Sequence, residues 1–298
     1  MSKIGLAVLA MIVAACLLAP LYAARVAGAD PFRSNIMGTV EGQDVLAENT
    51  AGLGLGVTPI GPTWGRAYFL GADAQGRDVM ARLLYGGRTS LLIAGCATLL
   101  CLGAAAAVGV TAGFLGGAVD TVLGGLLDLL WAFPVTLLAI SLSVVLVDGD
   151  LTVGPVQVSG DSLALPILIL GIVFVPYVAR PVRAQVLALR GAEFVEAARA
   201  IGGSPLHVMR HHVLPQLWPT LLGLGPIVMA MALLTEAALS VLSVGVQAPA
   251  ASWGTLIADG QALIYSRPWV AVAPGLAVAL TVLALNVVGE AWAARAQR

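Results

Sequence analysis

The chain has 298 residues, of which 59% are hydrophobic and only 10% are charged. Soluble domains carry about 25% charged residues, so this composition excludes an ordinary soluble domain and indicates a membrane protein with several spans. The net charge of −1, with its basic residues spread along the chain, argues against a nucleic-acid partner.

Six apolar segments of the chain are long enough to cross a membrane, which takes about 20 mainly apolar residues per helix. They are residues 4–24, 89–112, 121–147, 162–179, 217–242 and 269–290. The sequence therefore predicts an all-α, polytopic membrane protein with six transmembrane helices. The first segment exceeds the roughly 7–15 apolar residues of a secretory signal, so we expect it to be kept as a span.

The arginines between the spans predict how the chain is oriented. Short loops that remain in the cytoplasm carry an excess of basic residues. Residues 180–216 contain five arginines, 148–161 contain none, and 243–268 contain only Arg267. We therefore expect 180–216 to be a cytoplasmic loop and, with an even number of spans, both termini to be cytoplasmic.

This orientation divides the chain into three parts. Residues 1–27 form a first transmembrane helix, 28–85 an extracytoplasmic segment, and 86–298 a five-helix core that includes the loop 180–216. Residues 50–65 are rich in glycine, proline and threonine and lack a sustained apolar period. The extracytoplasmic segment is therefore expected to be a small, loop-rich cap without a core of its own.

The cytoplasmic loop contains a predicted helix, turn, helix unit with the sequence EFVEAARAIGGSPLHVMRHHVLP, residues 193–215. Helical spacing places four apolar residues on one face. These are Phe194, Ala197, Ala198 and Ile201. Glu196 and Arg199 lie off this stripe at a spacing that allows an ion pair. Because small alanines let a neighbour approach closely, the stripe is interpreted as a docking surface for a cytoplasmic partner.

The residues between the two helices are typical of a helix end followed by a new start. Gly202 and Gly203 are expected to end the first helix, since glycine readily adopts the left-handed conformation. Ser204 can cap the next helix and Pro205 suits its first position. Pro215 is expected to mark the entry to the fifth span.

Two other interpretations of this loop remain open on local pattern alone. One is a solvated helix with no partner. The other is a DNA-binding helix-turn-helix unit, which a loop tethered at both ends to spans gives little room to fold.

Cysteine, histidine and lysine usage gives little support for a catalytic or metal site. Cys16, Cys96 and Cys101 lie inside apolar runs and are expected to be buried small hydrophobes. His207 and His211 have a spacing that could hold a metal, but no acidic third ligand is placed by the sequence, so we expect surface histidines. Lys3 is the only lysine, so the lysine that a P-loop requires for ATP is missing.

The loop also resembles a known family. EAARAIGGSPLHVMRHHVLP is similar to the EAA signature of inner-membrane permease subunits of binding-protein-dependent ABC importers. The matching positions are Glu196, Ala197, Ala198, Gly202, Leu214 and Pro215. The resemblance implies that these residues, together with Glu193, form a coupling helix that is seated in a cleft of an ATP-binding subunit.

Five segments of the chain resemble the dipeptide, oligopeptide and nickel branch of this family, in the same order. LGADAQGRDVMARLLYGGRTSLLIAG is similar to the segment before its second span, and VDTVLGGLLDLLWAFP to its aspartate and Phe-Pro pattern. The matching residues are Gly76, Arg77, Asp78, Arg88, Asp120, Asp128 and Pro134. The chain is similar overall to the C-type permease of peptide importers.

The resemblance implies the fold, the partners and the location of the chain. The fold would be that of a type I ABC importer permease in a bacterial inner membrane. The partners would be a homologous B-type permease, one or two ABC ATP-binding subunits, an extracytoplasmic substrate-binding protein and membrane lipid. The chain would bind no cofactor, since ATP and Mg²⁺ would be held by the ATP-binding subunits. Peptides are the expected solutes, with nickel chelates, glutathione and haem as alternatives.

Glu236 and Asp128 are two acidic residues that lie within the predicted spans. Glu236 lies in the fifth span, where a charge is costly and should face the bundle interior, a partner or water. It is expected either to line or gate the pathway or to form a structural hydrogen bond to a neighbouring helix. Asp128 is expected to pack near the cytoplasmic interface rather than to contact the solute.

Overall fold

A computed structural model of the chain describes residues 2–28, 30–40, 42–48, 57–65, 67–147, 151–153, 156–158 and 162–296. Helices dominate these residues. The α-helices are α1 Ser2–Leu17, α2 Ala19–Tyr22, α3 Val79–Leu115, α4 Gly117–Ala132, α5 Val135–Val147, α6 Ala164–Val173, α7 Val175–Arg190, α8 Glu193–Ala200, α9 Pro205–Val208, α10 Trp218–Val241, α11 Trp253–Gln261 and α12 Trp269–Ala296.

Among the described residues, three continuous helices are long and apolar enough to cross a membrane. They cover Val79–Leu115, Pro205–Val241 and Trp269–Arg295. Three bent helix pairs pass the same test together: Lys3–Leu17 with Ala19–Ala27, Gly117–Ala132 with Val135–Leu146, and Ala164–Val173 with Val175–Arg190. With each pair counted as one span, the predicted all-α, polytopic fold is confirmed, with up to six spans.

A proline explains where one of the bent pairs is broken. The pair α4 and α5 bends by 90° at Phe133 and Pro134. Phe133 is extended, with φ −92° and ψ 138°, as expected for a residue that precedes proline. The sequence predicted 121–147 as one span, and Pro134 divides it into two helices in different directions.

The chain divides into two compact units, each of which is held together by contacts among its own residues. The first comprises Met1–Gly5, Ala94–Ala232 and Leu285–Arg298, and the second comprises Leu6–Ile93 and Leu233–Ala284. In the first unit, glycines of α3 allow α7 to approach closely. A Cβ at Gly109 would lie 2.8 Å from Val182 Cγ1, and one at Gly113 would lie 2.9 Å from Val186 Cβ.

The segment 28–85, which belongs to the second unit and is expected outside the membrane, contains two small antiparallel hairpins. β1 Thr39–Val40 pairs with β2 Gln43–Asp44, and β3 Leu46–Glu48 pairs with β4 Val57–Pro59. Val45, Tyr68 and Ala72 are buried together, with Val40 and Ile60 packed against them. The expectation of a cap without a core was therefore wrong, because these apolar residues are too scattered to form a periodic pattern. Residues 49–56, part of the glycine-rich stretch, lie outside the described residues.

A third hairpin lies in the predicted outer loop 148–161. β5 Leu151–Val153 pairs in antiparallel register with β6 Val156–Val158. Residues 148–150, 154–155 and 159–161 of this loop lie outside the described residues.

The cysteines follow the prediction at two of three positions. Cys16 and Cys101 are buried and free, whereas Cys96 is free but exposed on α3. The expectation of burial was wrong for Cys96 because an apolar run on a transmembrane helix has one side that faces away from the protein.

Candidate functional site

The first helix of the loop between α7 and α10, α8, exposes its charged side chains and Ala197. Glu193 and Glu196 lie in its first turn, where carboxylates interact favourably with the helix dipole. Val195 and Ala198 face the rest of the chain and are buried. Ala197 is exposed, so it stands on the face that the chain itself leaves uncovered.

The turn after α8 has the predicted geometry. Gly202 has φ +91°, in the left-handed region. The amide of Gly203 donates to the carbonyl of Ala198 at 3.0 Å, and a Cβ on Gly203 would lie 2.6 Å from that same oxygen. Ser204 Oγ accepts a hydrogen bond from the amide of His207 at 3.3 Å, so the predicted cap of the second helix is confirmed.

Large apolar side chains of the loop are exposed around this turn. Phe194 is 43% exposed, Ile201 88% and Leu206 67%. Charged residues lie beside them, including Glu193 and Glu196. An exposed apolar patch with a polar rim is typical of a protein interaction surface. The predicted stripe is therefore left uncovered by the chain, apart from the buried Ala198.

Two arginines lie against the end of α3 and the turn that follows it. The guanidinium carbon of Arg199 lies 5.3 Å from the ring centroid of Phe114, within the range of a cation–π contact. Arg190 lies so close to Gly116 that a Cβ there would be 2.6 Å from Arg190 Nη1. The expected pairing of Arg199 with Glu196 is not formed, because the aromatic ring engages the arginine instead.

The second helix of the loop continues directly into the fifth span. After α9, Met209–Val213 form a π-helical turn and Leu214–Leu217 a 3-10 turn that leads into α10. Leu214 and Pro215 are exposed, whereas Val213 and Leu217 are buried. Pro215 lies in the 3-10 turn, so the helix type changes around it without the helix ending. That Pro215 marks the entry to the span stays a prediction.

Gln185 ties the helices on both sides of the loop together. Thr220 Oγ1 of α10 donates to Gln185 Oε1 at 2.6 Å. Gln185 Nε2 of α7 donates to the carbonyl of Gln216 at 3.0 Å. A displacement of the loop is therefore shared by α7 and the start of α10.

The loop histidines are arranged as a surface stack. The rings of His207 and His211 lie 4.3 Å apart, and His211 Nδ1 lies 3.1 Å from the carbonyl oxygen of His207. Within the described part of the chain, no group of three His, Cys, Asp or Glu side chains could hold a metal ion.

The residues matched before the second span form a turn and a helix cap. Gly76 has φ +73°, and a Cβ there would meet the carbonyl oxygen of Asn35. Asp78 Oδ1 accepts from the amide of Ala81 at 2.9 Å, and its Oδ2 accepts from the amide of Tyr68 at 2.7 Å. Burial raises the pKa of Asp78, and these backbone hydrogen bonds oppose the rise.

Arg77 belongs to a four-residue ion cluster together with Asp73, Arg82 and Asp259. Arg77 Nε lies 2.7 Å from Asp73 Oδ2, and Arg82 Nε lies 3.4 Å from the same oxygen. Asp259 Oδ2 accepts from Arg77 Nη2 and Arg82 Nη2, both at 3.0 Å. This cluster fixes α11 to the segment that begins α3. Arg88, also matched in the sequence, is exposed and lies over the ring of Tyr85.

Asp120 and Asp128 of α4 both pair with arginines of α7. Arg183 contacts Asp120 through two nitrogens, of which Nη2 lies 2.7 Å from Oδ2. Arg180 Nη2 lies 2.6 Å from Asp128 Oδ1. Pro134 is exposed at the bend between α4 and α5. The sequence did not indicate the two arginine partners, because they lie far away along the chain.

Glu236 is completely buried in a hydroxyl-rich cluster of the second unit. Ser90 Oγ donates to Glu236 Oε2 at 2.9 Å, and Ser240 Oγ donates to Oε1 at 2.8 Å. Ser90 Oγ also accepts from the amide of Trp253 at 3.0 Å, the first residue of α11. Of the two expectations for Glu236, the hydrogen bond to a neighbouring helix is present; a role in the pathway stays a prediction.

A comparison with protein families gives a match over residues 105–298. The matching model describes the binding-protein-dependent transport system inner membrane component. The match covers more than half of the chain and includes the whole loop 180–216. The chain belongs to this family. The chain is therefore a transport permease.

Curated relatives of the permease carry transport names. It is 33% identical over 226 residues to a putative peptide transport system permease of Brucella suis biovar 1, covering 76% of this chain and 72% of that protein. It is also 33% identical to the dipeptide permease DppC of Alkalihalophilus pseudofirmus, covering 75% and 69%. The glutathione permease GsiD of Escherichia coli O1:K1 matches with the same identity and coverage.

A solved structure supports the fold independently. The inward-facing MetNI methionine ABC transporter aligns with 74% of the permease and 98% of the solved chain, with a TM-score of 0.58. The sequence identity of 19% limits this likeness to the fold. The predicted type I importer permease fold is confirmed.

Proposed function

We propose that the permease forms, with a homologous B-type permease, the translocation pathway of an ATP-driven ABC importer for peptides. An extracytoplasmic binding protein delivers the solute. The observation that carries this proposal is the uncovered apolar face of the loop, with Ile201 88% exposed, in a chain of this transport family.

ATP hydrolysis is assigned to partner subunits, and the permease itself is not an enzyme. Its one lysine, Lys3, lies at the start of α1, which offers no glycine-rich phosphate loop. One or two ABC ATP-binding subunits hold ATP and Mg²⁺ and bind the loop through Ala197, Gly202 and neighbouring exposed residues. Ala198, which the family resemblance also placed in this surface, is buried against its own chain and supports the helix from behind. Both termini and the loop lie on the cytoplasmic side of the inner membrane.

The contacts around the loop support its action as a lever. Arg199 contacts Phe114 at the end of α3, and Gln185 joins α7 to the start of α10. A helix that is fixed in this way moves as a rigid body with its neighbours. Closure of the ATP-binding subunits would therefore displace α7 and α10 together and change the access of the pathway.

Peptides are the proposed solutes because two of the relatives named above are peptide or dipeptide permeases. Glutathione is the first alternative, supported by the relative GsiD. Nickel chelates and haem are further alternatives within the same architecture. The last alternative is a membrane scaffold that binds ATP-binding subunits without transporting a solute.

ATP-dependent uptake into vesicles tests the function. Vesicles that contain the complete transporter and its binding protein are expected to accumulate radiolabelled dialanine or glutathione only when ATP reaches the ATP-binding subunits. Vesicles that lack only the permease are the control. Stable assembly with no uptake of dialanine, glutathione, a nickel chelate or haem would identify a scaffold and contradict the proposal.

A further inference from the structure

A polar cavity lies between α4 and α7 in the first unit. Its volume is about 370 Å³. It is lined by Asp120, Thr121, Gly124, Gly125, Leu127, Asp128, Arg180 and Arg183. One water molecule occupies about 30 Å³ in the liquid, so the cavity could hold about a dozen waters or a solute the size of a dipeptide.

The two ion pairs that flank the cavity differ in how completely they are engaged. The pair of Arg183 and Asp120 uses both carboxylate oxygens and two guanidinium nitrogens, so it is closed. The pair of Arg180 and Asp128 has a single contact, between Nη2 and Oδ1. The Asp128 side chain is 72% exposed and that of Arg180 39%. This second pair therefore keeps charge and hydrogen-bonding capacity for another molecule.

Aromatic rings fix the orientation of Arg180. The pair that Arg180 forms with Asp128 has one contact only and is the open pair of the cavity. The guanidinium carbon of Arg180 lies 4.9 Å from the ring centroid of Trp131. The ring of Trp131 stacks on that of Tyr177, with the centroids 6.4 Å apart. A guanidinium held over a ring presents its edge to a carboxylate without first losing side-chain freedom.

Two of the residues that line the cavity are glycines with open space around them. A Cβ on either Gly124 or Gly125 would meet nothing within 4 Å. Asp128 is exposed and is expected near the cytoplasmic interface, and a carboxylate there faces water or protein and not lipid. The glycines leave space beside it.

We propose that this cavity is a passage site for small zwitterionic solutes, in which Arg180 receives a carboxylate and Asp128 receives an ammonium group. The inference rests on the proposed transport function and adds to it the residues and the charge class of the solute. A peptide with free termini carries both groups, so it can engage both members of the open pair at once.

Direct binding tests the site without the binding protein, which would otherwise impose its own selectivity. The probe is dialanine, and saturation-transfer NMR detects its binding to the complete permease and ATPase complex in nanodiscs. Wild-type complex is expected to give a signal for dialanine and none for N-acetyl-dialanine amide, which lacks both charges. Asp128→Asn and Arg180→Gln should each lower the dialanine signal at least fivefold.

A blocking variant separates occupation of the cavity from loss of charge. Gly124→Leu fills the open space while both ion pairs remain, and leucine favours the helix more than glycine does. It should also lower the signal at least fivefold. Gly103→Leu is the matched control, since Gly103 is a helical glycine of α3 with equally open surroundings, and it should keep the wild-type signal.

Three results would overturn the inference. A wild-type complex that gives no dialanine signal would do so, as would equal signals from wild type, Gly124→Leu and Asp128→Asn. Loss of the second permease from purified Gly124→Leu complex, with Gly103→Leu intact, would show that the face is an interface between subunits. ATP-dependent uptake by wild-type vesicles is a separate readout, so the transport function can stand when the site fails.

Discussion

Replacing Ala197 with tryptophan is expected to detach the ATP-binding subunits from the permease while the permease itself stays folded. Ala197 is exposed on α8, and the contacts of α8 with its own chain run through Val195 and Ala198. An indole at this position therefore meets no part of the permease but fills the space that a docked partner requires. Affinity should fall at least tenfold, about 1.4 kcal/mol or more.

Co-purification and solute-stimulated ATP hydrolysis measure this effect. Ala74→Trp is the matched control, because Ala74 is also exposed but lies in the turn before α3, in the segment expected outside the membrane. The control should retain the ATP-binding subunits in the normal ratio. If Ala197→Trp also retains them and hydrolysis still responds to solute, the loop does not have the assigned role.

Replacing Arg82 with methionine is expected to cause a large loss of stability. The Arg82 side chain is 4% exposed and that of Asp73 2%, so their charges are almost fully removed from water. Removing one member of a buried charge group leaves the others uncompensated, which costs about 3–5 kcal/mol in the free energy of unfolding. Methionine keeps much of the length of the arginine stem, so lost packing contributes little.

Unfolding of the detergent-purified permease measures this loss. Arg88→Met is the control, because Arg88 lies on the same helix but is exposed, and its change should stay within about 0.5 kcal/mol. Equal stability of Arg82→Met and Arg88→Met would contradict a structural role for the ion cluster.

Lowering the pH should reduce the loss in the free energy of unfolding that Arg82→Met causes. Burial raises the pKa of Asp259, and the charges of Arg82 and Arg77 oppose the rise. Without Arg82 the pKa of Asp259 rises further, so the folded variant binds a proton more tightly than the unfolded chain does. A carboxyl of this kind favours folding at low pH and loses that contribution as the pH rises through its folded pKa.

Spans and the loop turn were predictable because their signals are local. Twenty apolar residues, the glycine pair at 202 and 203, and Ser204 before Pro205 each act on their own neighbourhood. The geometry of Gly202 and the cap by Ser204 followed from residue type alone. The family signature then coincided with these positions.

Contacts between distant residues could not be predicted from local patterns. Arg82 and Asp259 are 177 residues apart, and Ser90 and Glu236 are 146 apart. The spacing of Asp73 and Arg77 was the one local signal of the ion cluster. The sequence indicated Glu196 as a partner of Arg199. In the structure Arg199 lies over the ring of Phe114 instead, a residue far away along the chain.

The direction of a helix beyond a proline could not be predicted from the sequence either. Residues 121–147 were predicted as one span, whereas the helix bends by 90° at Pro134. The proline marks the position of the break, but proline alone does not fix the angle. Pro215 gave the opposite outcome, since the helix passes through it by changing to π and 3-10 turns. The surroundings of each proline decide whether the freed backbone groups find new partners.

Site-specific photo-cross-linking tests the central claim, that the loop binds an ATP-binding subunit in the cytoplasm. A photoreactive amino acid replaces Ile201, 88% exposed in the loop, or Met37, 97% exposed in the segment expected outside. After illumination of membranes that contain the whole transporter, the position 201 variant should give a covalent adduct with the ATP-binding subunit, and the position 37 variant should give none. An adduct from position 37, or its absence from position 201 in assembled transporter, would contradict the account.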